Sequence, residues 1–205
     1  MDVGERFNGY SHLAGLVLAV AGAVLLMERA LLRGDAATTA GVLVFTLCSI
    51  ALYAASTLCH ACRGAARVFW QRADHCAIYL LIAGSFSPFA LAALRGAWRW
   101  GLLAALWSLA AWGIARELRP AVVARPSAGI YLAMGWLCVL AAVPLALHLG
   151  GAVLAWLLAG ALAYSAGTVF YRNRRGWRHA HGTWHLFVLG GTASHYMAVR
   201  ALVPA

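Results

Sequence analysis

The chain has 205 residues, 63% of them hydrophobic and only 11% charged, where a water-soluble domain carries about 45–50% and about 25%; so few charges cannot cover a globular surface, and the solvent must be largely lipid. The formal net charge of +10 comes from arginines without any lysine, set in short clusters between apolar runs. There is no basic stripe, RNA-binding signature or zinc-finger spacing, so nucleic acid is not an expected partner. No polar linker divides the chain, and a single domain over 1–205 is expected.

Seven stretches approach the roughly 20 apolar residues that a spanning helix needs. In chain order they are 11–32, 38–60, 74–94, 100–115, 127–147, 152–171 and 181–199. The fourth is short but uncharged, and His148, Gly150 and Gly151 tighten the turn between the fifth and sixth. The first has the look of a secretory signal, but its leading residues hold one arginine beside two acids and six stretches follow, so it reads as a retained helix. Only helices and closed barrels satisfy the backbone in lipid, and no alternation of barrel strands is visible. The expected fold is therefore all-α, an integral membrane protein of seven transmembrane helices.

Arginine placement sets the expected orientation. With the N-terminus in the cytoplasm, that side holds Arg6, the group Arg63, Arg67 and Arg72, the group Arg116, Arg119 and Arg125, and the cluster from Arg172 to Arg178. The opposite side holds only Arg29, Arg33, Arg95, Arg99 and Arg200. The C-terminus is then outside.

This topology brings several polar residues to one depth. His60 ends the second stretch at its cytoplasmic end, with Ser56 one turn earlier on the same face. Asp74 opens the third stretch and His181 the seventh, with His185 at i+4. Two histidines so spaced stand on one helix face, about 6 Å apart in height, and can share a metal ion. A third imidazole from another helix completes a three-histidine site with one open position, the catalytic type of zinc site. Asp74 could accept a hydrogen bond from water at such a metal. The bland alternative for the H-x-x-x-H pair is hydrogen bonding to a carbonyl or a lipid headgroup.

The remaining histidines are less telling. His195 lies ten residues past His185, about 15 Å further along the helix. It is too far to share the ion, and an interhelical hydrogen bond is expected in preference to a role lining a substrate path. His12 is expected to pack against the site, His75 and His179 to be interfacial, and His148 to sit in an outer turn. Cys59 and Cys62 flank His60 in "CHAC", but no second C-x-x-C accompanies them and Cys59 points about 100° away from His60. The five cysteines, an odd number mostly in apolar runs, do not form a disulfide framework.

The segment "ASTLCHACRGAARVFWQRADHCAIYLLIAGSFSPFAL" resembles the second-to-third span signature of the hemolysin III proteins, the bacterial branch of the progestin and adipoQ receptor family, which includes the adiponectin receptors. "HGTWHLFVLGGTASHYMAV" is similar to that family's last span and "NGYSHLAG" to its opening motif, so the resemblance covers nearly the whole chain. It implies a seven-helix protein of the bacterial cytoplasmic membrane, with zinc near the cytoplasmic side. His60, His181 and His185 would be the ligands, and Ser56 and Asp74 the polar partners of water at the metal. Cys59 stands where many hemolysin III proteins have tyrosine.

Three functions stay open at this point. The first is a zinc-dependent hydrolase of lipid amides or esters, with Asp74 and Ser56 catalytic and a membrane lipid as substrate, serving membrane-lipid homeostasis. The second is a receptor-like protein or sensor with structural zinc. The third is a pore-forming or cytolytic protein, disfavoured because the polar residues gather at one end of the bundle instead of running through it.

Overall fold

The computed structural model describes residues 3–119 and 128–204. A short 3-10 turn, Val3–Glu5, leads into α1 (Arg6–Arg33), followed by α2 (Ala36–Ala61), α3 (Gly64–Ala93) and α4 (Gly96–Glu117). After the undescribed 120–127 come α5 (Ala128–Leu137), a 3-10 turn Cys138–Ala141, α6 (Ala142–Ala146), α7 (Gly151–Arg172) and α8 (Ala180–Leu202). No strand occurs among the described residues. Arg125 and Ser127, the first residue of the expected fifth stretch, lie outside them.

Four helices, α1, α2, α3 and α7, are long and apolar enough to cross a membrane, while α4 and α8 have the length at 22 and 23 residues. The most apolar windows of α1 and α7 are only 22% and 17% buried. Their outward faces carry side chains such as Val17, Leu18, Leu158 and Leu162. Contiguous apolar surface on that scale marks a surface made for lipid, and the chain is a multi-pass membrane protein.

Local chemistry sets the helix ends. Gly34 closes α1 in the left-handed region at φ 72°, donating its N–H to the Leu31 carbonyl. Asp35 then caps α2, its carboxylate accepting from the Ala37 and Thr38 amides and from the Thr38 hydroxyl. The expected fifth helix is broken. Pro144 has no N–H to donate to Leu140 and its ring crowds that carbonyl, so the turn before it winds as a 3-10 helix. The expected third stretch is longer than its apolar part. α3 starts at Gly64, so Asp74 stands three turns inside a 30-residue helix instead of opening it.

α2 lies between α1 and α3, α4 packs outside α3, and α7 pairs with α8, which also touches α1 and α3. Small residues hold the α2–α3 seam tight. A Cβ on Gly41 would lie 2.6 Å from Pro88 Cα, and one on Gly84 would lie 2.7 Å from Cys48 Sγ. α5 leans on α3, α4 and α7, leaving a hollow between this segment and the α2–α3–α8 wall.

Candidate metal centre

Three imidazoles meet where α2 ends and α8 begins. One ring nitrogen from each of His60, His181 and His185 lies within 4.8 Å of the other two, and the trio could hold a metal ion. His60 and His185 are buried and His181 is exposed. Cys59 and Cys62 are free thiols outside this cluster.

The hydrogen bonds fix which nitrogens are available. The Nδ1 of His185 is 3.0 Å from the Asn8 carbonyl oxygen and 3.2 Å from Ser11 Oγ. A carbonyl can only accept, and the Ser11 hydroxyl already donates to that same oxygen. The proton of neutral His185 therefore sits on Nδ1, leaving a bare lone pair on Nε2. The Nδ1 of His60 is 2.7 Å from Glu5 Oε2, which fixes the same tautomer, and its Nε2 is buried without a partner. The Nε2 of His181 approaches that of His185 to 3.1 Å. With His185 Nε2 bare, His181 Nε2–H is the donor in that contact; the other tautomer of His181 turns three lone pairs toward one point, a donor set that fits a cation.

The surroundings reinforce the arrangement. Glu5 also accepts from Arg67 Nη2 at 2.7 Å and from Asn8 Nδ2 at 3.0 Å. Burial works to raise the Glu5 carboxyl, but these hydrogen bonds with that of His60 outweigh it and hold it at about 2. His12 stacks on His185 with ring centroids 3.6 Å apart, and both its nitrogens are buried and unpaired. Gly182 permits the approach of α1 to α8, since a Cβ there would lie 2.1 Å from the Phe7 ring.

A cavity of about 490 Å³ opens beside the trio. Ser56, Asp74, His181 and His185, four of the five expected site residues, all line it, and the His60 ring lies 5.2 Å from that of His181 and 5.1 Å from that of His185. Asp74 faces Ser56 across the α2–α3 seam, but the Ser56 hydroxyl falls outside hydrogen-bond geometry and is left buried and unpaired. The other walls are mostly apolar, from Leu81 and Phe86 on α3 to Leu157 and Ala161 on α7.

His195 lines the far part of the same cavity. Its ring fills the space above Gly160, packs edge-on to Tyr164 at 5.5 Å and reaches toward the Leu157 backbone, while Nδ1 stays unpaired. Of the two roles set against each other from the sequence, the cavity-lining position is present, and the interhelical hydrogen bond is approached only at the Leu157 backbone. His75 departs from expectation. It lines the cavity too, 3.8 Å from the buried Glu117 carboxylate of α4. Glu5 and Asn8 were not anticipated as parts of the site; the histidines they hold are 55 and 177 residues away in sequence.

The family model for Haemolysin-III related proteins matches residues 3–196. The chain is 37% identical to Hemolysin-3 of Bacillus cereus over 95% of its own length and 90% of that protein's. It is also 37% identical to the Hemolysin-3 homolog of Bacillus subtilis (strain 168), over 95% and 92%. The plant Heptahelical transmembrane protein ADIPOR2 of Oryza sativa subsp. japonica is 35% identical over 71% of this chain and 72% of that one.

Proposed function

The chain belongs to the haemolysin-III related family, and from that premise we propose that it is a seven-helix protein of the bacterial cytoplasmic membrane that hydrolyses a lipid amide or ester with zinc held by His60, His181 and His185. The observation that carries the reading is the meeting of three imidazole nitrogens at one end of an apolar cavity that also presents a carboxylate and an unpaired hydroxyl. The excess of arginine at the end of the bundle that holds the trio supports a cytoplasmic N-terminus and an outer C-terminus.

Three neutral imidazoles leave a metal one open position. A zinc ion so held supplies a Lewis acid that brings the pKa of water toward neutrality. The rest falls to the chain itself. Asp74 holds or takes a proton at its carboxylate on the cavity wall. The Ser56 hydroxyl, lacking a partner, donates to an oxygen on which negative charge develops. The apolar walls take an acyl chain and exclude bulk water. Purified protein should carry about one zinc per chain, as three-histidine sites do, and the variant H60A/H181A/H185A should carry none. Full zinc in that variant overturns the ligand assignment.

A second reading, structural zinc in a receptor-like protein, draws support from the helices involved. The trio joins α2 to α8, and the buried ligands are tied to the start of the chain, His60 to Glu5 just before α1 and His185 to Asn8 in its first turn, so a metal there would pin three helix ends. Asp74→Asn separates the two. An enzyme loses lipid turnover while keeping zinc and fold, whereas a structural site keeps its function. The Bacillus relatives carry the name hemolysin, but a mostly apolar cavity wall gives little support to ion conduction in this chain.

A further inference from the structure

The two buried histidines of the trio are held from behind by one short stretch, Glu5 to Ser11, at the start of α1. The Glu5 carboxylate accepts a hydrogen bond from Nδ1–H of His60, and the Asn8 carbonyl accepts one from Nδ1–H of His185. Glu5 is itself fixed by Arg67 from α3 and by Asn8 from the first turn of α1. Ser11 donates to the Asn8 carbonyl and lies 3.2 Å from His185 Nδ1. One segment thus sets the tautomer and ring orientation of ligands on two different helices.

We propose that Glu5 is a positioning residue for the metal centre, and that the Glu5–Ser11 segment is an outer clasp that keeps the Nε2 lone pairs of His60 and His185 aimed inward. The assignment rests on the proposed metal reading and deepens it. A carboxylate accepting from the far nitrogen of a ligating histidine raises its basicity and restricts its rotation, and loss of such a partner typically weakens metal binding 10–100-fold. His60 depends on it most, because Glu5 is the partner of its Nδ1 and its Nε2 is buried without any. The backbone carbonyl of Asn8 does the same for His185 and survives any side-chain substitution at that position.

The test uses the full chain in detergent, with zinc affinity measured by competition with a chromophoric chelator and ligand geometry read from the visible spectrum of the cobalt(II)-loaded protein. Glu5→Ala is expected to weaken zinc about 10–100-fold and to shift the cobalt bands. Glu5→Gln, which keeps an accepting oxygen without the charge, is expected to fall between it and the parent. Asp35→Ala, at the opposite end of α2 from His60, uncaps the helix without touching the trio or the clasp, and should stay within about twofold of the parent, since it strips no partner from a ligand. The proposal is overturned if E5A binds zinc within about twofold of the parent with an unchanged cobalt spectrum, or if D35A loses as much affinity as E5A. An absence of zinc binding in the parent protein overturns the metal reading instead, so the two failures are distinct.

Discussion

Thr192 is the most sharply testable buried polar residue outside the trio. Its hydroxyl donates to the Val188 carbonyl one turn back, at 3.0 Å, which uses its only proton. Both phenols beside it must then be donors, Tyr53 at 2.8 Å from α2 and Tyr164 at 2.9 Å from α7. One oxygen therefore joins three helices. Thr192→Val keeps the shape nearly unchanged and removes the acceptor, so no cavity contribution arises and two buried hydroxyls are stranded. Side-chain hydrogen bonds between membrane helices average about 0.6 kcal/mol and reach about 1.7 kcal/mol, which puts the loss at about 1–3.5 kcal/mol. The Val188 carbonyl keeps its backbone partner and adds little. Tyr53→Phe, which deletes the donor together with its need, should cost less, about 0.5–1.5 kcal/mol. The assay is reversible unfolding in mixed micelles of the parent, both single variants and the double variant. In the Y53F background T192V should cost about half as much as alone, since only Tyr164 remains to be stranded. The argument fails if T192V lies within about 0.3 kcal/mol of the parent, or if its cost is the same with and without Y53F. Zinc content should not change, because Thr192 lies two turns, about 10 Å, beyond His185.

Two further outcomes follow from named contacts. Asp35→Ala should remove about 1 kcal/mol of stability at neutral pH by uncapping α2. The hydrogen bond from Thr38 above all holds the Asp35 carboxyl below its ordinary 3.8, so the cap's contribution is present above that value and is lost as pH falls through the lower folded one. Thermal melts of parent and variant should converge in acid, and a constant gap would contradict the linkage. His195→Ala should leave zinc content intact, since the ring is no member of the trio, and should lower stability by about 1–3 kcal/mol together with lipid turnover. Loss of zinc in that variant, with the fold kept, would show that α8 couples the far part of the cavity to the trio.

Hydropathy revealed where the chain meets lipid but not where its helices end. The first ten residues of α3, "GAARVFWQRA", are helical yet carry two arginines, so the apolar stretch begins at Asp74 while the helix begins at Gly64. The break after α5 was hidden for the opposite reason, because 127–147 is apolar almost throughout and Pro144 is its one proline. His181 and His185 were legible because i and i+4 fix a shared face, and His60 because its position in a helix end matched theirs in depth. Glu5 and Asn8 were not, since nothing local distinguishes an acid or an amide at an N-terminus from a solvated one. His75 misled for a related reason. Its partner, Glu117, is on another helix and looks in sequence like one more charge at a helix end.

The seam between α2 and α3 bears on how the cavity can deform. Where Gly41 rests on the Pro88 backbone and Gly84 on the short Cys48 side chain, there is little side chain available to rotate and absorb a shift. The two helices form a single stiff plate, and Ser56 and Asp74 are mounted on opposite halves of it. Their spacing is thus set by main-chain geometry, in the way a jig holds two tools. The opposite wall is built from the interrupted α5–α6 segment and α7, joined by fewer contacts. Any breathing that admits a bulky guest must be taken up there, so the cavity can change its volume without changing the distance between the two groups that face the guest.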